Sequence, residues 1–167
     1  MSLFLNNKAT FQNTLATLPL VTYEASETVI ADGSRTGRLL ILNKGTVAII
    51  KDGTEIATVA ESGAVFGELS VLLDQPHSAD VRALETSEFH VADATTLLTQ
   101  NPIAVLYVAT MLAHRLNGAN HALIQLKQQL LTGEPPNVVA KTVSKMEGLL
   151  LASANLAYAG YPNDPYA

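Results

Sequence analysis

The chain has 167 residues, of which 48% are hydrophobic and 15% charged, with no cysteine and a formal net charge of -5. That length suits about one domain with a hydrophobic core that needs no covalent staples, and the composition is globular rather than disordered. Lack of cysteine excludes disulfides, thiolate metal sites and a cysteine nucleophile, and the acidic balance argues against non-specific nucleic-acid binding, which needs basic surface to neutralise phosphates.

In chain order, Met1 to Asn7 lacks the basic flank and long apolar stretch of a signal peptide. No apolar run approaches the roughly 18 residues of a membrane span, so the cytoplasm is the expected location. Lys8 to Leu18 is predicted to be a short helix, with Phe11, Leu15 and Leu18 at helical spacing and Pro19 following. From Val21 to about Asp93 the sequence reads as many short strands. Thr46 to Lys51 and Thr54 to Ala60 are β-rich runs joined by Asp52-Gly53, a strong hairpin signal because both turn residues must take positive φ. Asp32-Gly33, Asn43-Lys44-Gly45 and Ser62-Gly63 mark further turns, and Ala79 to Leu84 and Glu88 to Val91 read as two more strands. Regular short strands with turn signals imply an antiparallel sandwich or jelly roll. Pro102 to about Leu131 is predicted helical, with Val108, Leu112, Leu116, Leu123, Leu126 and Leu130 as its apolar stripe and Gly118 as a hinge between a shorter and a longer helix. Thr132 to Pro136 reads as a linker. Asn137 is expected to cap one more helix carrying Val139, Val143, Met146 and Leu150, with Lys141 and Lys145 on another face. Leu149-Leu150-Leu151 is apolar enough to be buried or to bind a partner, and Tyr158 to Ala167 reads as irregular.

The most informative stretch runs from Phe66 to Ala83. A strand ends at Gly67, a short helical turn spans Glu68 to Leu73, and a loop through Pro76 leads into the next strand. A helix start after glycine offers free backbone N–H groups to an anion. Gly67 lets the backbone approach a ligand closely, and Glu68 can accept hydrogen bonds from a hydroxyl such as a ribose 2′-OH. An anion cradle beside a hydroxyl acceptor suits a phosphorylated sugar.

Phe66-Gly67-Glu68-Leu69, a turn, then Pro76-His77-Ser78-Ala79-Asp80-Val81-Arg82-Ala83 resembles the phosphate-binding cassette of the cyclic-nucleotide-binding family, of the catabolite activator and cyclic-AMP-dependent kinase regulatory-subunit type. Tyr23, Ile30 to Gly33 and Leu39 to Val47 look like that family's early strands, and Ala104 to Leu131 like its two C-terminal helices. The resemblance implies a mainly β fold, a double-stranded β-helix (jelly-roll) barrel with a short N-terminal helix and C-terminal helices. It places the domain at residues 1–131, with residues 132–167 as a tail. It further implies a non-enzymatic sensor whose ligand is cyclic AMP or cyclic GMP, with no metal. The implied ligand-binding residues are Phe66, Gly67, Glu68, Leu69, His77, Ser78 and Ala79. Glu68 takes the ribose hydroxyl, the cassette amides and Ser78 flank the phosphate, and a helix within Gly118 to Leu131 moves over the base.

One departure matters. The family's cassette arginine falls on His77. Arginine is a permanently charged bidentate donor, whereas histidine is mostly neutral at pH 7. Arg38 and Arg82 are the nearest substitutes, but Val81 and Ala83 read as core-facing, which turns Arg82 outward. Weak binding therefore follows, or a degenerate pocket in a structural or protein-interaction domain of the same fold. Other readings are weaker. His114 and His121 share a helix face but suit solvent better than metal. His77, His90 and Glu68 lack the tight ligand pattern of a metal jelly-roll enzyme, and haem on His77 is remote. Residues after Thr132 are too few and not basic enough for a DNA-reading module. A homodimer or partner contact through the C-terminal helices is the expected association.

Overall fold

The structure, a computed structural model, describes residues 10–151. It opens with a helix over residues 10–15 (α1). Strands follow at Leu20–Tyr23 (β1), Thr28–Ile30 (β2), Arg38–Lys44 (β3), Val47–Lys51 (β4), Thr54–Val59 (β5) and Val65–Phe66 (β6). A single helical turn, Glu68–Leu72 (α2), precedes β7 (Asp80–Ala83) and β8 (Ser87–Asp93). Three helices close the described chain: α3 (Ala94–Gln100), α4 (Pro102–Thr132) and α5 (Pro136–Leu151).

The strands form two four-stranded antiparallel sheets, ordered β1-β8-β3-β6 and β2-β7-β4-β5. The β4–β5 hairpin turns at Asp52 and Gly53, with φ of 50° and 75°, the positive values that the Asp-Gly pair predicts. β3 shows how the layers are glued. Successive strand residues point to opposite faces, and both faces of β3 are covered. Leu40 and Leu42 join Val47, Ile49, Phe66 and Phe89 between the sheets. Leu39 and Ile41 point outward and are roofed by Phe11, Leu15, Tyr107, Val108 and Met111 from α1 and α4. Phe11 stacks on Tyr107 with ring centroids 4.4 Å apart. The fold is thus mainly β with flanking helices, as the sequence predicts.

The helices depart from expectation in several places. α3 lies outside the predicted elements, and Asp93 caps it by accepting the Thr96 N–H at 2.8 Å. α4 begins as predicted, with Asn101 accepting the Ala104 N–H and Pro102 in its first turn. It then runs unbroken to Thr132, so Gly118 is no hinge. Instead Gly118 is buried, on a face made by Tyr107, Val108, Met111, Arg115, Ala119 and Ala122. The leucine stripe is accordingly corrected: Leu116, Leu123 and Leu130 are 60%, 54% and 64% exposed. Small residues win the buried face because α5 packs closely along α4, with Ala119 and Ala122 meeting Met146 and Leu149. Asn137 does not cap α5, which already starts at Pro136. The expectations for Leu150, Leu151 and Tyr158 to Ala167, and for the helix start at Lys8, lie outside the described residues or side chains. No single helix among the described residues is long and apolar enough to cross a membrane.

Candidate functional site

The cassette is a short chain segment bent around one cavity. β6 ends at Phe66, which pairs with Leu40 and sends its ring into the inner core. Gly67 follows with φ of 93°, a left-handed conformation, and a Cβ there would run into the Arg38 carbonyl oxygen. Only glycine fits both constraints. Gly67 also stands at the N-cap of α2, so the cap residue itself supplies no side-chain oxygen to that turn.

The return loop is fastened at both ends. Ser70 Oγ donates to the Gln75 carbonyl at 2.6 Å, and the Gln75 N–H donates to the Ser70 carbonyl at 3.0 Å. The His77 N–H donates to the Ser34 carbonyl, and the Gly33 N–H donates to the His77 carbonyl. His77 Nε2 and Thr36 Oγ1 lie 3.0 Å apart. The imidazole is only 7% exposed, so it is an anchoring group between the β2–β3 loop and the cassette rather than a surface histidine. Burial pushes its pKa below the ordinary value of 6.5, against the smaller opposing pull of the Glu68 charge. Its neutral state is therefore favoured in the fold.

This shift has a pH consequence. The unfolded chain binds a proton on His77 at about pH 6.5, more readily than the folded chain does. Stability should therefore be fully present above that pH and fall as the pH drops toward the lowered folded value. Urea midpoints at pH 7.5 and 5.5 are expected to separate more in the parent than in His77→Gln. Equal separations would show that this ring does not couple folding to protons.

Glu68 opens the turn and is 4% exposed. Arg115, projecting from the middle of α4 and 5% exposed, donates from Nη1 to Glu68 Oε1 in a very close ion pair. Arg115 Nε also donates to the Leu149 carbonyl of α5 at 3.1 Å. One guanidinium thus joins cassette, α4 and α5. Near Leu149, Gly148 lets α5 lie close to β5: a Cβ built there would stand 3.4 Å from the Ile56 carbonyl oxygen.

All seven sequence-predicted site residues line the same cavity, together with apolar Ile30, Ile49 and Val81. Its volume is only about 40 Å³, against roughly 300–1,000 Å³ for typical small-molecule pockets. Ser78 is exposed at its edge, whereas Phe66 and Ala79 are buried. Arg38 and Arg82 do not line it, and Arg82 is exposed between buried Val81 and Ala83, as alternation requires. A larger cavity of about 250 Å³ lies on the far side of β3, against α1 and Tyr107, and its lining holds no Lys, Arg, Asp or Glu. Among the described residues no group of three or more His, Asp or Glu side chains could hold a metal ion.

Sequence reasoning missed Arg115. The available signal was a lone arginine in phase with Tyr107, Val108, Met111 and Ala119 on α4, a charge on a face that is otherwise apolar or small.

The architecture is a two-sheet antiparallel roll with a glycine-opened cassette, which α4 reaches through Arg115 and beside which α5 packs on β5. Residues 20–99, nearly half of the chain, match the family model described as cyclic nucleotide-binding domain. A cAMP-dependent protein kinase regulatory subunit from Debaryomyces hansenii is 30% identical over 64 residues, which is 38% of this chain and 14% of that relative. The match therefore spans a small part of the relative's length. Among solved structures, the catabolite activator protein of Thermus thermophilus has a TM-score of 0.56 at 20% identity, covering 85% of this chain and 81% of that one. That likeness is one of fold. A cyclic nucleotide-binding domain from Methylobacillus flagellatus gives a TM-score of 0.46 at 21% identity, covering 81% and 61%.

Proposed function

We propose that the chain is a regulatory, non-catalytic module that senses a ligand of the cyclic-nucleotide class by its ribose and answers through α4 and α5. The observation that carries this reading is the shared guanidinium. Glu68 is the cassette's hydroxyl acceptor, and its charge is held by the same Arg115 that holds the Leu149 carbonyl. A ribose hydroxyl reaching Glu68 competes with Arg115, and loosening Arg115 loosens α5. The roughly 40 Å³ cavity must enlarge for this to happen, so the ligand must favour an arrangement with α5 displaced. Output then runs through the helices. Leu116, Leu123 and Leu130 stand seven residues apart on α4 and are exposed, the spacing with which a second copy of the same helix forms a seam.

Calorimetric titration with cyclic AMP and cyclic GMP tests the reading. Heat of binding is expected with the parent and at least a tenfold weaker Kd with Glu68→Gln, because a hydrogen bond to a charged group contributes about 1.5–3 kcal/mol. No heat at millimolar concentrations of either nucleotide would defeat it. That result would favour the second reading, a structural or protein-interaction domain of the same fold. The small cavity and the pairing of Glu68 support that alternative.

A further inference from the structure

We infer that the pocket selects its ligand by ribose and base rather than by charge, so that an uncharged ribonucleoside binds at least as tightly as the cyclic nucleotide carrying the same base. This rests on the ribose-reading pocket proposed above.

The argument is an account of charge. None of the residues lining the cavity is a lysine or arginine, and its one carboxylate is Glu68. The cation that reaches this carboxylate, Arg115, is buried and bonded to it and to the α5 carbonyl. Pocket and pair together are electrically neutral. Other basic groups near the cassette point elsewhere. Arg35 is on the solvent side, bonded to the Asp74 carboxylate at 3.1 Å and to its carbonyl oxygen. Arg38 and Arg82 are exposed and outside the lining. His77, at the position of the phosphate-pairing arginine, is a desolvated ring bonded to the Thr36 hydroxyl, and burial disfavours its cationic form.

A buried phosphodiester would bring one negative charge into this neutral site, beside Glu68, with no fixed cation opposite it. An unpaired buried charge is among the costliest groups to desolvate. The N–H groups that open α2 can donate to an anion, but they carry no net charge, and a helix of five residues has a small dipole. A ribonucleoside brings the same base and, for Glu68, the same 2′-hydroxyl into this lining without that charge. Both ligands need the same opening at α4 and α5, so the opening does not discriminate between them. Charge does.

The test is a set of calorimetric titrations of the full chain at fixed salt with adenosine, guanosine, cyclic AMP, cyclic GMP and 2′-deoxyadenosine. The expected result is a nucleoside Kd equal to or below that of the matching cyclic nucleotide. The deoxy compound should bind about tenfold or more weaker than adenosine, because Glu68 loses its hydroxyl donor. Cyclic nucleotide binding tenfold tighter than nucleoside would overturn this inference and leave the ribose-sensing function standing. Deoxyadenosine binding as well as adenosine would overturn the role given to Glu68. Absence of heat with both cyclic nucleotides would defeat the cyclic-nucleotide reading proposed above, and absence of heat with the nucleosides as well would overturn this inference with it.

Discussion

Replacing Arg115 with methionine is expected to destabilise the fold by about 3–5 kcal/mol, the usual cost of stripping one partner from a buried ion pair. Methionine roughly keeps the length and apolar volume of the side chain, so the loss is mainly electrostatic. Glu68 is left 4% exposed with its cation gone, and the Leu149 carbonyl loses a donor. For a chain of this size each kcal/mol moves the melting temperature by roughly 2–4 °C, so a fall of about 10 °C is expected. Urea denaturation of Arg115→Met, Glu68→Leu and the double variant gives the coupling. The double variant should recover much of the stability, because replacing a whole buried pair by apolar groups is often neutral. A single-variant loss under about 1 kcal/mol, the range of exposed pairs, would mean that the two charges are hydrated.

The second large effect concerns His77. Substituting arginine should tighten cyclic AMP binding by roughly 30- to 3,000-fold. This follows from about 2–5 kcal/mol for completing a buried charge pair, at about 1.4 kcal/mol per tenfold. A guanidinium supplies the permanent, forked donor that imidazole lacks. Adenosine, with no phosphate, is the control and should change little. The variant should also lose some stability without ligand. The His77–Thr36 contact of 3.0 Å goes, worth about 1 kcal/mol for an ordinary hydrogen bond, and a new cation is brought near the Arg115–Glu68 pair. Parallel calorimetry of parent and variant decides the matter. An unchanged cyclic AMP affinity would mean that the phosphate does not sit near residue 77.

Much of the β architecture was legible because its signals are local. Asp52-Gly53 fixes a turn through its own φ preferences, and the cassette from Phe66 to Ala79 is one contiguous segment folding about one cavity. The site's electrostatics were less legible because they are long-range. Glu68 and Arg115 are 47 residues apart in sequence, and nothing local to either announces the pair. Leucine weight misled the reading of α4, since the face that counts is the one narrow enough to admit α5, where Ala119 and Ala122 fit and Leu123 does not. Nothing local announces the burial of His77, because its partners Ser34 and Thr36 come from a loop more than forty residues upstream.

The double engagement of Arg115 has a thermodynamic corollary. If occupancy of the roll favours detachment of the last helix, then any macromolecule that captures that helix must sharpen the affinity for the small molecule by the same factor. Effector and messenger would then be interchangeable triggers of one switch, and a dose–response curve for either would slide along its axis with the concentration of the other.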